Sequence, residues 1–140
     1  MGTSDQEPFE FHAKLTDLDH GLATLHDSVE LLRRAARRGL DDHALMLFET
    51  ALGEIGANVL THGRPHGADH PILYVLQFDD GEARASFVDH GPAVHDHLAR
   101  GMPDAWSEDG RGLAIARTLL DELGYRRDGD LNTWRLVKRL

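Results

Sequence analysis

The stretch ETALGEIGANVLTHG, Glu49 to Gly63, decides how this chain is read. Leu52, Ile55 and Val59, preceded by Leu45 and Phe48, recur at three and four and mark a helix with one apolar stripe. Glu54, Asn58 and His62 recur at four along the border of that stripe. Each such step advances about 40° beyond a full turn, so the three form a slowly winding row where core meets solvent or a cleft. Alone, the row reads as a plain solvated surface before it reads as a site.

Working outward, the helix runs through DDHALMLFETALGEIGANVLTHG, with Asp41 or Asp42 as cap and Gly63 with Pro65 as stop. Before it, Leu22, Leu25, Val29, Leu32 and Ala36 predict a helix from about Asp19 to Arg38, stopped by Gly39. FEFHAKL, from Phe9, alternates like a first strand. After the polar loop HGRPHGADH, PILYVLQF and EARASFVDH read as strands joined by the turn DDG. A long aperiodic segment follows, GPAVHDHLARGMPDAWSEDGRG, of the kind that is usually functional. RGLAIARTLLDELG predicts a third helix closed by Gly124, and GYRRDGD with LNTWRLVKRL a final hairpin.

The order β-α-α-β-β-α-β-β predicts an α+β fold, a two-layer α/β sandwich. Its sheet is expected to be mixed and mainly antiparallel, with the helices on one face. Residues 1–8 are expected to be a flexible tail and 9–140 a single domain. At 140 residues and 41% hydrophobic content the chain is long enough for a core of its own. It has no cysteine, and so no disulfide or thiolate metal site. A net charge of −9 argues against a nucleic-acid groove. The N-terminus lacks a signal pattern and no apolar run is of spanning length, so the expectation is a cytoplasmic protein with no membrane contact. RRAARR, Arg33 to Arg38, reads as a solvated helix face, or as a docking patch for an acidic partner.

Two further elements change the weight of the polar row. ASFVDHG ends a strand in Asp89-His90-Gly91, which places a carboxylate at a strand end beside a glycine that lets a ligand approach. Gly110-Arg111-Gly112-Leu113 opens the third helix, where free N–H groups and the helix dipole favour an anion.

In this order the motifs resemble the ATP-binding domain of the GHKL superfamily, the Bergerat fold shared by gyrase, MutL, a heat-shock chaperone and histidine kinases. EIGANVLTHG, VDHGPAV, DGRGLAIARTLLDEL and NTWRLVKRL are similar to the RsbW/SpoIIAB group, anti-sigma-factor serine/threonine-protein kinases. The resemblance spans the chain from Phe9 onward. It implies ATP and Mg²⁺ as cofactors, Glu54 as general base, and Asn58 as the Mg²⁺ ligand. It implies that Asp89 accepts from the adenine amino group and that Gly91 lets the base lie close. Gly110, Arg111, Gly112 and Leu113 fall on the phosphate side, His62 at the edge of the site, and Thr133 in support of the adenine pocket. Ala93 and Asn132 stand where relatives often carry glycine, and the short loop before Gly110 implies a small ATP lid.

The partners implied are an anti-sigma-factor antagonist (a STAS-domain protein), a sigma factor or equivalent regulator, and a second copy of the chain in a homodimer. Direct nucleic-acid binding is not expected. The alternative is a nucleotide-binding regulatory module that holds its partner stoichiometrically with little or no kinase activity. Trp106, in the lid region, is a candidate partner contact. His62, His66 and His70 also share a spacing of four, but Gly63 and Pro65 break the helix a zinc site would need.

Overall fold

A computed structural model describes residues 8–63, 70–92 and 107–140, with 107–111 described by backbone alone. The elements follow the predicted order: β1 (Phe9–Leu15), α1 (Leu18–Ala35), α2 (His43–His62), β2 (Ile72–Asp79), β3 (Glu82–Asp89), α3 (Ser107–Leu119), β4 (Glu122–Asp128) and β5 (Leu131–Arg139). Among the described residues the strands form one five-stranded sheet in the order β1-β2-β3-β5-β4, and every pairing is antiparallel.

Alternation decides which face is buried. Ile72, Tyr74, Leu76 and Phe78 of β2, Ala83, Ala85 and Phe87 of β3, and Trp134 and Leu136 of β5 are buried together. Their neighbours on the other face are mostly half-buried, with Leu73 at 45% exposure and Val137 buried at 4%. The helices cover the first face, with α2 between α1 and α3. Four aromatics cross the sheet in register on that side. Tyr74 pairs with Phe87, Phe87 with Trp134 and Trp134 with Tyr125. Ring centroids lie 5.2 Å apart for Tyr74–Phe87 and 4.8 Å for Tyr125–Trp134, geometry that adds about 0.5–1.5 kcal/mol per pair beyond area burial. Tyr74 also bonds Ser28 of α1 at 2.8 Å, fixing α1 on the sheet, and its burial pushes the phenol well above its usual pKa.

Local chemistry sets the boundaries, and several differ from the sequence prediction. Asp17 caps α1 by accepting from His20 N–H at 2.8 Å, and Asp42 caps α2 from Leu45 N–H at 2.9 Å. α1 ends before Gly39. Arg37 takes the left-handed conformation at φ 56°, while Arg37 N–H bonds Arg34 O and Arg38 N–H bonds Arg33 O, a Schellman stop built on an arginine. The predicted DDG turn stands, with Asp80 and Gly81 both at positive φ. α3 starts one turn before Gly110 and ends well before Gly124, which lies in β4 opposite Arg135. Among the described residues, no helix is long and apolar enough to cross a membrane.

Candidate functional site

Two residues beyond the aromatic row, the same face of the sheet turns polar. Asp89 on β3 stands opposite Asn132 on β5, and Asn132 opposite Arg127 on β4. Asp89 and Asn132 are each 2% exposed. Buried polar groups of this kind persist only when bonded, and these are. Asp89 Oδ1 accepts from Gly91 N–H at 2.7 Å and from Asn132 Nδ2 at 2.9 Å, and Oδ2 accepts from Trp134 Nε1 at 3.1 Å. Burial pushes the Asp89 carboxyl up, against the pull of these three donors.

Asn132 is the hub. Its Nδ2 also lies 3.1 Å from Gly91 O and 3.1 Å from Pro92 O. Its Oδ1 accepts from the Tyr125 hydroxyl and from Arg127 Nη1 at 3.0 Å. Arg127 Nη1 donates to Gly91 O as well, at 2.8 Å. Donors on one side and acceptors on the other fix the orientation of the amide.

The C-terminal end of α2 closes over this row. A cleft lined by Asn58, His62, Gly63, Asp89, Gly91 and Trp134 lies between them, with Val59, Pro92 and Asn132 completing its wall. Asn58 is 4% exposed there. The open space is about 10 Å³, room for about one water, so a purine base enters only if the lining moves.

Glu54 lies one turn before Asn58, about 6 Å along the helix axis. It does not line the cleft. Its carboxylate rests on α3, where a Cβ on Gly112 would sit 2.5 Å from Glu54 Oε2. A larger residue there would make the Glu54 carboxylate shift. On its other side Glu54 borders an open groove with Met46, Glu49, Thr50, Gly53 and Ala57.

The fold thus brings Asn58, His62, Asp89 and Gly91 to one cleft, and Glu54 with Gly112 one turn away. Three expectations change. Gly91 faces α2 rather than open space: its Cβ would lie 2.6 Å from His62 O and 2.8 Å from Gly63 Cα. Thr133 falls between Asn132 and Trp134, so it points to the opposite face of the sheet from Asp89, and Asn132 takes the place expected of it. Gly110 and Arg111 lie inside α3, and Arg111 and Gly112 N–H fall beyond the helix's unsatisfied first turn. Leu113 is a core residue at 1% exposure, so its side chain packs the core instead of facing a ligand. Asn132 and Trp134 line the candidate cleft without having been singled out as site residues in the sequence, and Arg127 bonds Asn132 from behind. The signal for them was the alternation of β5, in which a residue two before a buried tryptophan shares its face. Ala93, His66 and Trp106 lie outside the described residues. Among the described residues no group of three His, Asp or Glu is placed to hold a metal.

Comparison with known proteins agrees with this fold. The family described as "Histidine kinase-like ATPase domain" matches residues 19–138. No curated protein matches the chain. A solved structure of the RsbU and RsbW domains of a Mycobacterium tuberculosis protein superposes with a TM-score of 0.68 at 21% identity. The match covers 94% of this chain and 32% of that one, so the chain spans about a third of its relative's length. The Acinetobacter baumannii histidine kinase AdeS superposes with a TM-score of 0.50 at 14% identity, over 92% of this chain and 67% of that one. The chain belongs to the family of histidine kinase-like ATPase domains and has the GHKL fold, which it shares with the RsbU–RsbW structure.

Proposed function

We propose that this ATPase-family domain is a partner-switching kinase. It would transfer the γ-phosphate of ATP to a serine or threonine of a small anti-sigma-factor antagonist, and hold a sigma factor or equivalent regulator when the antagonist is phosphorylated. One observation carries the reading. The Asn58 amide is buried in the wall of the Asp89 cleft, while Glu54, one turn earlier, lies against the backbone of α3. The groups read here as metal-holding and proton-accepting then lie one turn apart on α2, and the base-reading Asp89 faces the first of them from β3.

Asp89, at the closed end, would accept one N–H of the adenine amino group. Asn58 supplies an oxygen of the type Mg²⁺ takes, and Mg²⁺, when bound, neutralises charge on the phosphates. Glu54, between α2 and α3 and open on its far side, would orient the acceptor hydroxyl and take its proton. The hydroxyl oxygen bonds to the γ-phosphorus as the bond to the ADP oxygen breaks. A phosphate on the antagonist then adds charge to an interface with a chain of net charge −9, which favours release. A homodimer and a cytoplasmic setting belong to the same proposal.

The narrowness of the cleft favours a second reading, a regulatory module that binds its partner stoichiometrically with little phosphotransfer. Phosphate transfer from labelled ATP to a cognate antagonist separates the two. Glu54→Ala is expected to keep nucleotide binding and lose transfer by about 10²-fold or more. Transfer at the wild-type rate would remove Glu54 as the base, and no transfer by the wild-type chain would favour the module.

A further inference from the structure

We propose that Asn132 and Trp134 are positioning residues that set which base Asp89 reads, by leaving its carboxylate a single open acceptor position. The proposal rests on the nucleotide reading above. An ionised carboxylate offers about four acceptor positions on two oxygens. Gly91 N–H and Asn132 Nδ2 occupy Oδ1, and Trp134 Nε1 occupies one position on Oδ2. The remaining position, on Oδ2, belongs to a residue that lines the cleft.

A ligand edge with one N–H donor, such as the 6-amino group of adenine, matches that position. The guanine edge presents two adjacent donors, which a carboxylate receives on both oxygens, and Oδ1 has no room for the second. Asn132 cannot withdraw by turning its amide, because Arg127 would then face its NH₂ group and the Gly91 and Pro92 carbonyls its amide oxygen. Trp134 cannot swing away either: it is 2% exposed, in register between Phe87 and Tyr125 across the sheet, with its ring tilted against Tyr125 at 4.8 Å. Discrimination is thus built from the groups that fill the carboxylate, a means of rejecting the wrong ligand by leaving its donor unpaired.

The first test needs no nucleotide. In ¹H–¹⁵N spectra the Trp134 indole signal is identified by its loss in Trp134→Phe, and Asp89→Asn is expected to shift it. An unmoved signal overturns the bond on which the proposal stands. The second test is the binding of ATP and GTP to the wild type, Asn132→Ala and Trp134→Phe. The wild type is expected to favour ATP about tenfold or more. Asn132→Ala, with one position open on each oxygen, should narrow that preference to a few-fold, mainly through tighter GTP binding. Trp134→Phe, which keeps the packing and leaves Oδ1 filled, should narrow it less. Should Asn132→Ala fail to fold, Asn132→Ser and Trp134→Phe carry the comparison. An unchanged ATP-to-GTP ratio in the folded variants overturns the inference and leaves the functional reading standing. A wild type that binds neither nucleotide overturns both.

Discussion

Replacing Gly91 with alanine tests whether this glycine serves a ligand or the fold. An ideal Cβ there lies 2.6 Å from His62 O, 2.8 Å from Gly63 Cα and 3.0 Å from Asp89 Oδ1. The first two atoms are backbone in and just past the last turn of α2. That turn is tied down by Gly63 N–H to Val59 O at 2.7 Å and by His90 N–H to Gly63 O at 3.3 Å. No side chain can rotate to make room, so the methyl group must push the end of β3 away from α2. Overpacking of this kind costs about 1–3 kcal/mol. For a chain of this size the loss corresponds to a fall in Tm of about 3–10 °C. Calorimetry and urea unfolding of nucleotide-free protein measure it. Gly53→Ala is the control: it sits inside α2 with nothing within 4 Å, and should gain up to about 1 kcal/mol. A Gly91→Ala protein as stable as the wild type, but weaker in ATP binding, would refute the packing argument and return Gly91 to a ligand role.

Arg37→Gly removes a left-handed arginine from the end of α1 and should stabilise the protein by about 1 kcal/mol, read from the urea midpoint; no gain would contradict the strain assigned to φ 56°. The hydrogen bond from Glu49 raises the pKa of His26 above 6.5. The stability of that pair is therefore whole below pH 6.5 and lost as pH rises through the raised folded-state value. Both side chains are exposed to solvent, so it contributes less than about 1 kcal/mol. In Tm measured against pH, the gap between wild type and Glu49→Gln should close as pH rises, and a widening gap would contradict the pairing.

The element order was legible because apolar periodicity changes sharply between three-to-four and two along this chain. The polar row on α2 was legible for the same reason, since helix spacing alone puts Glu54, Asn58 and His62 together. In the last strand the resemblance singled out Thr133, while Asn132 is the residue that shares the Asp89 face. Asn132 and Thr133 are both polar, and only the burial of Trp134 and Leu136 tells which of them shares a face with Asp89. The end of α1 was placed at the glycine because glycine is the usual left-handed stop, while an arginine took that conformation two residues earlier. Leu119, Leu120 and Leu123 fit a helix as well as a strand, which hid the start of β4. The reason for Gly91 was invisible in the sequence, because it is a contact between α2 and β3 that only the assembled fold creates.

The central claim is that the row on α2 forms the floor of a nucleotide site. Calorimetric titration with ATP, with and without Mg²⁺, on the wild type and Asn58→Ala tests it most directly. Mg²⁺-dependent binding to the wild type that is lost in a folded Asn58→Ala protein is the predicted result. No binding to a well-folded wild type, or equal binding by the two proteins, would contradict it.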